Sequence, residues 1–330
     1  MAAHMAKWTA AAALLLAAIA AALLSGAADI AARDVWHAIA SPQAAGEDVT
    51  MMREIRLPRV AAAVIVGAAL AVAGAVMQGM TRNPLADPGL LGLTAGANAA
   101  LAFALALLPE AGYFRLMLVC FAGAGVGSLL VFGIGALRRG GFSPIRIVLA
   151  GAAVSTFLYA VADGVGLLFK ISKQVSMWTA GGFIGVTWGQ LQLIAPVLAA
   201  GIAGALLLSK QLTILSLSEE VAVGLGQRTA AVKAALMALV VLLAGASVAL
   251  VGSLAFVGLM VPHIARAVVG TDYRFVLPMS AIGGAALMLI ADTLARTVHA
   301  PYEIPVAAVV ALLGIPFFFV IVRRGGKAFS

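Results

Sequence analysis

The side chains that could do chemistry in this chain are few and isolated. Two carboxylates, Asp163 and Asp292, stand inside long apolar runs, and Asp292 precedes Arg296 by one helical turn. Intramembrane carboxylates occur in proton relays, but they also form local ion pairs with a base four residues away. Because Arg296 supplies such a base, and because Asp163 lies near the end of its run, the sequence favours structural roles for both.

Catalytic motifs are absent from the sequence. Lys327 follows two glycines but precedes Ala328, so no GxxxxGK[ST] phosphate loop occurs. Neither HExxH nor GxSxG occurs, and the four histidines are scattered. The single Cys120 lies in an apolar run, which leaves no disulfide or CxxC chemistry. We therefore predict a protein that is not an enzyme and that binds no cofactor or metal of its own.

The composition places these residues in a membrane. Hydrophobic residues make up 63% of 330 positions, charged residues make up 10%, and the mean hydropathy is +1.10. Such values exclude a soluble globular domain, and apolar runs of about 17 to 25 residues suit helices that cross a bilayer. The ten-residue alternation of an outer-membrane barrel does not occur. The sequence predicts an all-α integral membrane protein with a single transmembrane domain, residues 1–330.

The apolar runs predict ten transmembrane helices joined by short connections. Many of the 36 glycines lie inside the runs, which predicts close helix packing. The predicted spans cover residues 8–24, 57–80, 89–108, 114–137, 145–169, 187–208, 230–251, 254–269, 275–298 and 303–322. The eighth span is short and contains Pro262, and a helix break there would border a cavity or a pathway.

The basic excess predicts an orientation rather than a nucleic-acid interface. The net charge is +8, and nearly all Lys and Arg lie in short connections, thirteen of the 21 on one predicted face and eight on the other. The positive-inside rule then places both termini in the cytoplasm. The first run could instead be a signal peptide, because Lys7 precedes it and Ser25-Gly26-Ala27 resembles a cleavage site.

Two polar connections indicate function. Residues 78–89 carry Arg82, Asn83 and two prolines between apolar runs, which predicts backbone that turns in water or lines a cavity. Residues 209–233 contain a segment typical of a short helix that is capped by Ser216 or Ser218 and ended by glycine. An apolar face on such a helix suits a soluble partner, and a loop folded back on the bundle is the alternative.

Three arginines gather where the second span begins. Arg53, Arg56 and Arg59 lie on the predicted outer face, against the positive-inside preference. A helix N-terminus also disfavours cations. We therefore expect negative partners for these arginines, with lipid headgroups as the alternative.

Five ordered motifs resemble the FecCD family, the permease subunits of type II ATP-binding-cassette (ABC) importers for iron-siderophores, heme and cobalamin. The motifs are Asn83-Pro84-Leu85-Ala86, residues 222–226, Phe256-Val257-Gly258-Leu259 with Pro262-His263, Leu277-Pro278 with Asp292 and Arg296, and Glu303-Ile304-Pro305 through Pro316-Phe317-Phe318. The resemblance covers about residues 53–322. It departs from the family at Ala307, where glycine is common.

The resemblance implies a BtuC-like permease of an inner-membrane importer. Its expected partners are a second permease subunit in a homodimer, two cytoplasmic ATPase subunits that carry ATP and magnesium, and a periplasmic or lipid-anchored binding protein. The expected substrate is a ferric siderophore moved by alternating access, with heme and cobalamin as alternatives. An ion-coupled secondary transporter, with inverted repeats and a midplane carboxylate, is the alternative of another class.

The resemblance also assigns three roles to residues of this chain. Coupling to the ATPase is implied for Glu220, Ala222, Gly224, Leu225 and Gly226. An inner gate is implied for Asn83, Leu85, Ser143 and Pro144. Docking of acidic residues of the binding protein is implied for Arg56, Arg59 and Arg296.

Overall fold

The computed structural model describes residues 2–26, 31–41, 43–136 and 144–323, and within these ranges the regular elements are all helices. They are α1 (Ala2–Leu24), α2 (Ala32–Ala40), α3 (Glu47–Met51), α4 (Leu57–Thr81), α5 (Leu93–Leu107), α6 (Tyr113–Ala136), α7 (Pro144–Leu168), α8 (Ser172–Thr179), α9 (Trp188–Leu207), α10 (Ser209–Leu217), α11 (Glu219–Gly224), α12 (Thr229–Val251), α13 (Val257–Val269), α14 (Tyr273–Thr297) and α15 (Val306–Arg323). A π-helical turn, Met52–Arg56, joins α3 to α4, and a 3-10 turn, Pro88–Leu91, precedes α5. The predicted all-α class is confirmed for the described residues.

Each predicted span corresponds to one of these helices, although not all are long enough to cross a membrane alone. Seven described helical stretches have the length and hydropathy of a span, namely those that contain α1, α4, α6, α7, α9, α12 and α14. The apolar parts of α5, α13 and α15 are shorter. The described helices therefore support a multi-pass protein, and the count of ten spans stays a prediction.

Helix α4 is the centre of the bundle. It packs on α14, α13, α12 and α9, and 83% of the residues in its most apolar stretch are buried. Glycines allow this contact, because Gly67 meets the backbone of Gly284 in α14 and Gly74 meets that of Gly258 in α13. A Cβ atom at Gly74 would lie 1.9 Å from the Gly258 carbonyl oxygen. Close backbone approach of this kind gives the van der Waals contact that holds helices together in lipid.

The polar connection after α4 turns back into the bundle. Pro88 lies against Gly258, which packs on Gly74, about two turns before the end of α4. The chain therefore rises along α4 from Arg82 to Gly92 before α5 begins at Leu93. This re-entrant segment, residues 82–92, explains why α5 is short. The predicted polar corner is thus a run of turns and one 3-10 turn that packs partly against the helices, and membranes tolerate such backbone where protein surrounds it.

The predicted break in the eighth span lies before the helix rather than inside it. Helix α12 ends at Val251, and α13 begins only at Val257, after Phe256 with a φ of 68°. Pro262 leaves the carbonyl oxygen of Gly258 without its usual donor four residues later. The Gln78 Nε2 atom donates to that oxygen at 3.1 Å, so α13 continues through Pro262 unbroken.

Candidate functional site

The end of the bundle that the sequence predicts to face outward, called the outer end below, contains a buried cluster of charges. The Arg59 Nη2 atom lies 2.8 Å from Asp292 Oδ1, and its Nη1 atom lies 2.9 Å from Glu303 Oε1. Arg296 Nε lies 3.1 Å from Asp292 Oδ2. Asp292 is 1% exposed and is shared by two arginines. The local pair of Asp292 with Arg296 is therefore confirmed. We call Arg59, Asp292, Arg296 and Glu303 the outer ion cluster.

Helix C-termini supply further partners for the arginines. Arg56 Nη1 donates to the Leu23 carbonyl oxygen at 2.8 Å, and Arg296 Nη2 donates to that of Ala22 at 3.1 Å, both at the end of α1. Arg53 donates to the carbonyl oxygens of Ala38 and Ser41, at the end of α2. Terminal carbonyl groups carry the negative end of the helix dipole. The negative partners that the sequence predicts for these arginines thus lie within the chain.

The predicted docking residues are buried within the chain. Arg56, Arg59 and Arg296 are 5%, 6% and 3% exposed in the chain. Their contact with acidic residues of a binding protein stays a prediction. The pair of Arg59 with Glu303 was not predicted from the sequence. It could have been indicated by the rule that charges inside a membrane pair with one another, because that rule makes each carboxylate near an apolar run a candidate partner for a buried arginine.

The predicted inner gate lies on the re-entrant segment. Asn83 Oδ1 accepts a hydrogen bond from the Leu85 amide at 3.0 Å, and Asp87 Oδ1 accepts one from the Gly89 amide at 2.7 Å. Two successive turns held by side chains give this non-helical backbone a defined path. Pro144 begins α7, but its side chain lies outside the described residues, as does the whole of Ser143. The gate stays a prediction.

A buried hydrogen-bond chain lies next to that segment. Gln78 is 2% exposed, and its Oε1 atom accepts a hydrogen bond from Arg266 Nη2 at 2.5 Å. Its Nε2 atom donates to Gly258 and Leu259 of α13. These hydrogen bonds connect the end of α4 to α13 beside the re-entrant segment. The sequence did not indicate that Gln78 bonds the carbonyl oxygen that Pro262 leaves open, since 180 residues separate Gln78 from Gly258.

The predicted coupling residues form a short exposed helix, α11. The Ser218 hydroxyl accepts a hydrogen bond from the Val221 amide, which confirms one of the two predicted caps. At the other end the Gln227 amide donates to Ala222 and the Gly226 amide to Val223, with Gly226 at a φ of 76°. This pair of bonds is the Schellman motif, which requires a left-handed residue at the position of Gly226.

One side of α11 anchors it and the other is open. Ala222 is completely buried against the chain, whereas Glu220 and Gly224 are exposed. Val221, Val223 and Leu225 are 44%, 57% and 66% exposed. Apolar side chains projecting from a capped helix form a surface suited to another protein. Lys233 of α12 donates to Glu219 at 2.7 Å and ties α11 to the bundle.

Helix α7 exposes a polar stripe. Thr156, Tyr159 and Asp163 follow one another at intervals of three and four residues and all are exposed. This spacing places them on one helix face. Asp163 is therefore exposed although it lies inside an apolar run, because α7 packs on the bundle through its other face. Polar groups are disfavoured in lipid, so this face suits water or a second protein.

Together these features define a polytopic permease with an internally neutralised outer end and a helix exposed at the opposite end. The FecCD transport family matches residues 14–324, and the chain belongs to that family.

Relatives of known assignment support this membership. The chain is 46% identical to the iron(3+)-hydroxamate import system permease protein FhuB of Bacillus subtilis (strain 168), over 91% of this chain and 78% of that protein. It is 41% identical to the ferric enterobactin transport system permease protein FepD of Escherichia coli (strain K12), over 94% and 93%. It is 40% identical to the hemin transport system permease protein HmuU of Yersinia pestis, over 82% of each.

Solved structures give the same fold. An inward-facing conformation of a metal-chelate type ABC transporter superposes with a TM-score of 0.81 and 28% identity, covering 96% of this chain and 99% of that one. PsaBC from Streptococcus pneumoniae, in complex with Fab, superposes with a TM-score of 0.62 at 19% identity, covering 82% of this chain and 92% of that one. The second likeness concerns the fold alone.

Proposed function

We propose that this chain is the permease subunit of an ATP-driven importer that moves a ferric siderophore across the inner membrane by alternating access. The observation that carries the proposal is membership of the FecCD transport family over residues 14–324. Relatives that serve ferric hydroxamate, enterobactin and hemin support an iron chelate as the substrate class. Heme stays an alternative within that class, and cobalamin is an alternative outside it.

The pathway is formed by two copies of the chain, as a homodimer of ten-span subunits. The polar stripe on α7 supports this arrangement, because Thr156 to Asp163 covers about 10 Å, roughly a third of a bilayer core. Two such stripes facing one another would line a wet route, whereas a lone stripe would face lipid. The re-entrant segment with Asn83 and Leu85 is the inner gate, together with Ser143 and Pro144.

The permease receives the conformational change driven by ATP hydrolysis through α11. Two separate ATPase subunits hold ATP and magnesium and contact the exposed side chains of α11 and Gly226. The open side of α11 supports this, since Val223 and Leu225 have no role in the core. In this orientation α11 and both termini are cytoplasmic.

A binding protein docks at the opposite, outer end. Arg56 is a candidate contact, because its Nη1 atom donates to the uncharged Leu23 carbonyl oxygen, whereas Arg59 and Arg296 pair with Asp292. Exchanging Arg56 for Gln removes the charge and keeps a polar side chain. We expect weaker binding-protein affinity, and thermal unfolding of the variant checks that it remains folded. Unchanged affinity would remove Arg56 from the docking surface.

Reconstitution tests the whole proposal. The chain should be placed in liposomes with its ATPase and binding protein, and uptake of ferric hydroxamate, hemin and cobalamin compared. We expect ATP-dependent uptake of an iron chelate and no ATP hydrolysis by the chain alone. Uptake that continues without ATP but stops when the ion gradient collapses would instead select a secondary transporter.

A further inference from the structure

A groove of about 830 Å³ lies between α6 and α12, in the half of the bundle that contains α11. Phe121, Leu129 and Phe132 of α6 line one wall, and Met237 and Val241 of α12 line the other. These apolar walls belong to neither the outer ion cluster nor the polar stripe of α7. The apolar walls of this groove have no role in the import cycle proposed above.

The groove has the length of a lipid tail. Its wall on α12 runs from Thr229, at the cytoplasmic end, to Leu242. Thirteen residues of helix rise about 20 Å, which exceeds the half-thickness of a bilayer core by only a few ångströms. A single acyl chain that enters from the cytoplasmic leaflet would therefore span its length.

The mouth of the groove carries surplus positive charge. Arg82, exposed after α4, and Lys233 of α12 line it together with one carboxylate, that of Glu219. Lys233 Nζ lies 2.7 Å from Glu219 Oε1, so this pair is neutral and Arg82 adds one positive charge. Basic pockets between helices at the cytoplasmic surface suit anionic lipid headgroups.

A buried hydroxyl lies between the mouth and the apolar end. Ser128 of α6 is 1% exposed and lines the groove, and its Oγ atom has no hydrogen-bond partner within the described part of the chain. Buried hydroxyl groups are normally satisfied, because an orphan one is costly in an apolar surrounding. An ester carbonyl of a phospholipid lies just below the phosphate and would accept this hydrogen bond.

We propose that the groove between α6 and α12 binds one anionic phospholipid of the cytoplasmic leaflet. Its phosphate contacts Arg82 and Lys233, an ester carbonyl accepts from Ser128, and one acyl chain lies between Phe121 and Val241. Because Lys233 also holds Glu219, the first residue of α11, the lipid joins the wall of the groove to the base of the coupling helix.

Native mass spectrometry of the assembled transporter tests the site. The probes are phosphatidylglycerol and phosphatidylcholine with identical acyl chains. A Cβ atom added at Gly125, which lines the groove, or at Gly133, which lies two turns further along α6 and outside the lining, meets nothing within 4 Å. We expect Gly125→Leu to reduce retained phosphatidylglycerol about tenfold and Gly133→Leu to leave it unchanged. Equal retention by the two variants would overturn the proposal.

The headgroup contact has its own test. Arg82→Gln should reduce the preference for phosphatidylglycerol over phosphatidylcholine about fivefold, while Lys210→Gln, an exposed cation on α10, should not. Equal effects would mean that general surface charge attracts the lipid. Displacement of phosphatidylglycerol by a ferric hydroxamate would assign the groove to the substrate instead.

A wild-type measurement guards against misfolding of the Gly125 variant. Phosphatidylglycerol with a photoreactive diazirine at the end of one acyl chain should label α6 and α12 near Phe121 and Val241. Labelling spread evenly over the lipid-facing helices would contradict a defined site.

Discussion

The two ends of the bundle differ in which side chains they bury: one end buries paired charges, and the other exposes apolar side chains. At the outer end, Arg59 and Arg296 are buried against Asp292, so charge is neutralised inside the chain. At the opposite end, Val223 and Leu225 are exposed on α11. Removing one partner of a buried ion pair is strongly destabilising, whereas an exposed apolar area suits contact with another protein. The outer end thus depends on partners within the chain, and the end that carries α11 has a surface suited to a partner outside it.

The largest expected effect concerns Asp292. Asp292→Asn removes the carboxylate that Arg59 and Arg296 share, which leaves the two buried cations with one carboxylate, that of Glu303, beside Arg59. We expect the free energy of unfolding to fall by about 3 to 5 kcal/mol, measured by denaturation in mixed micelles. Glu303→Gln is the control, because Arg59 keeps Asp292 and the lost partner is partly exposed. Equal losses from the two variants would show that Asp292 is not the centre of the cluster.

Glycine substitutions compare the packing of the two ends. A Cβ atom at Gly67 of α4 would lie 2.3 Å from the Gly284 carbonyl oxygen, whereas one at Gly224 of α11 meets nothing within 4 Å. Gly67→Ala should therefore lower the free energy of unfolding by about 1 to 3 kcal/mol. Gly224→Ala should leave it unchanged or raise it slightly, since alanine favours a helix. Thermal unfolding of both variants measures the difference, and a tolerant Gly67 would contradict the close contact of α4 with α14.

The apolar face of α11 should affect transport without affecting stability. Leu225 is 66% exposed, so Leu225→Asp should change the free energy of unfolding by less than about 0.5 kcal/mol. Loss of an apolar contact with the ATPase should reduce ATP-driven uptake about tenfold. Lys210→Gln on neighbouring α10 serves as the control. If Leu225→Asp transports normally, the ATPase does not bind this face.

The smallest expected effect concerns the ion pair between α11 and α12. The hydrogen bond from Lys233 lowers the pKa of the Glu219 carboxyl below its ordinary value. The pair therefore stabilises the chain above the ordinary glutamate pKa of about 4.3, and this contribution is lost as pH falls through the lower pKa of the folded state.

Because Glu219 is exposed, Glu219→Gln should cost less than about 1 kcal/mol at neutral pH. Unfolding of wild type and variant should be compared between pH 7 and pH 3. The difference should shrink to zero as the pH falls, and a difference that grows would contradict the sign of the pKa shift.

Local sequence signals predicted the local structure well. The cap at Ser218, the glycine end at Gly226 and the pair of Asp292 with Arg296 each involve residues within five positions of one another, and each was found where expected. Arg59 and Glu303 are 244 residues apart, and no spacing rule connects them. The arginines of the second span were correctly expected to have negative partners, but the sequence did not show that Asp292, Glu303 and the end of α1 supply them.

The amino-acid sequence by itself determined the class of protein, the positions of the long apolar helices and the family, because hydropathy, caps and ordered motifs are properties of contiguous residues. Only the tertiary structure decided which charges are buried, where the segment after Arg82 runs, and how Gln78 serves the carbonyl group that Pro262 leaves open. These features depend on contacts between distant helices, and such contacts arise when glycines such as Gly74 allow two backbones to meet.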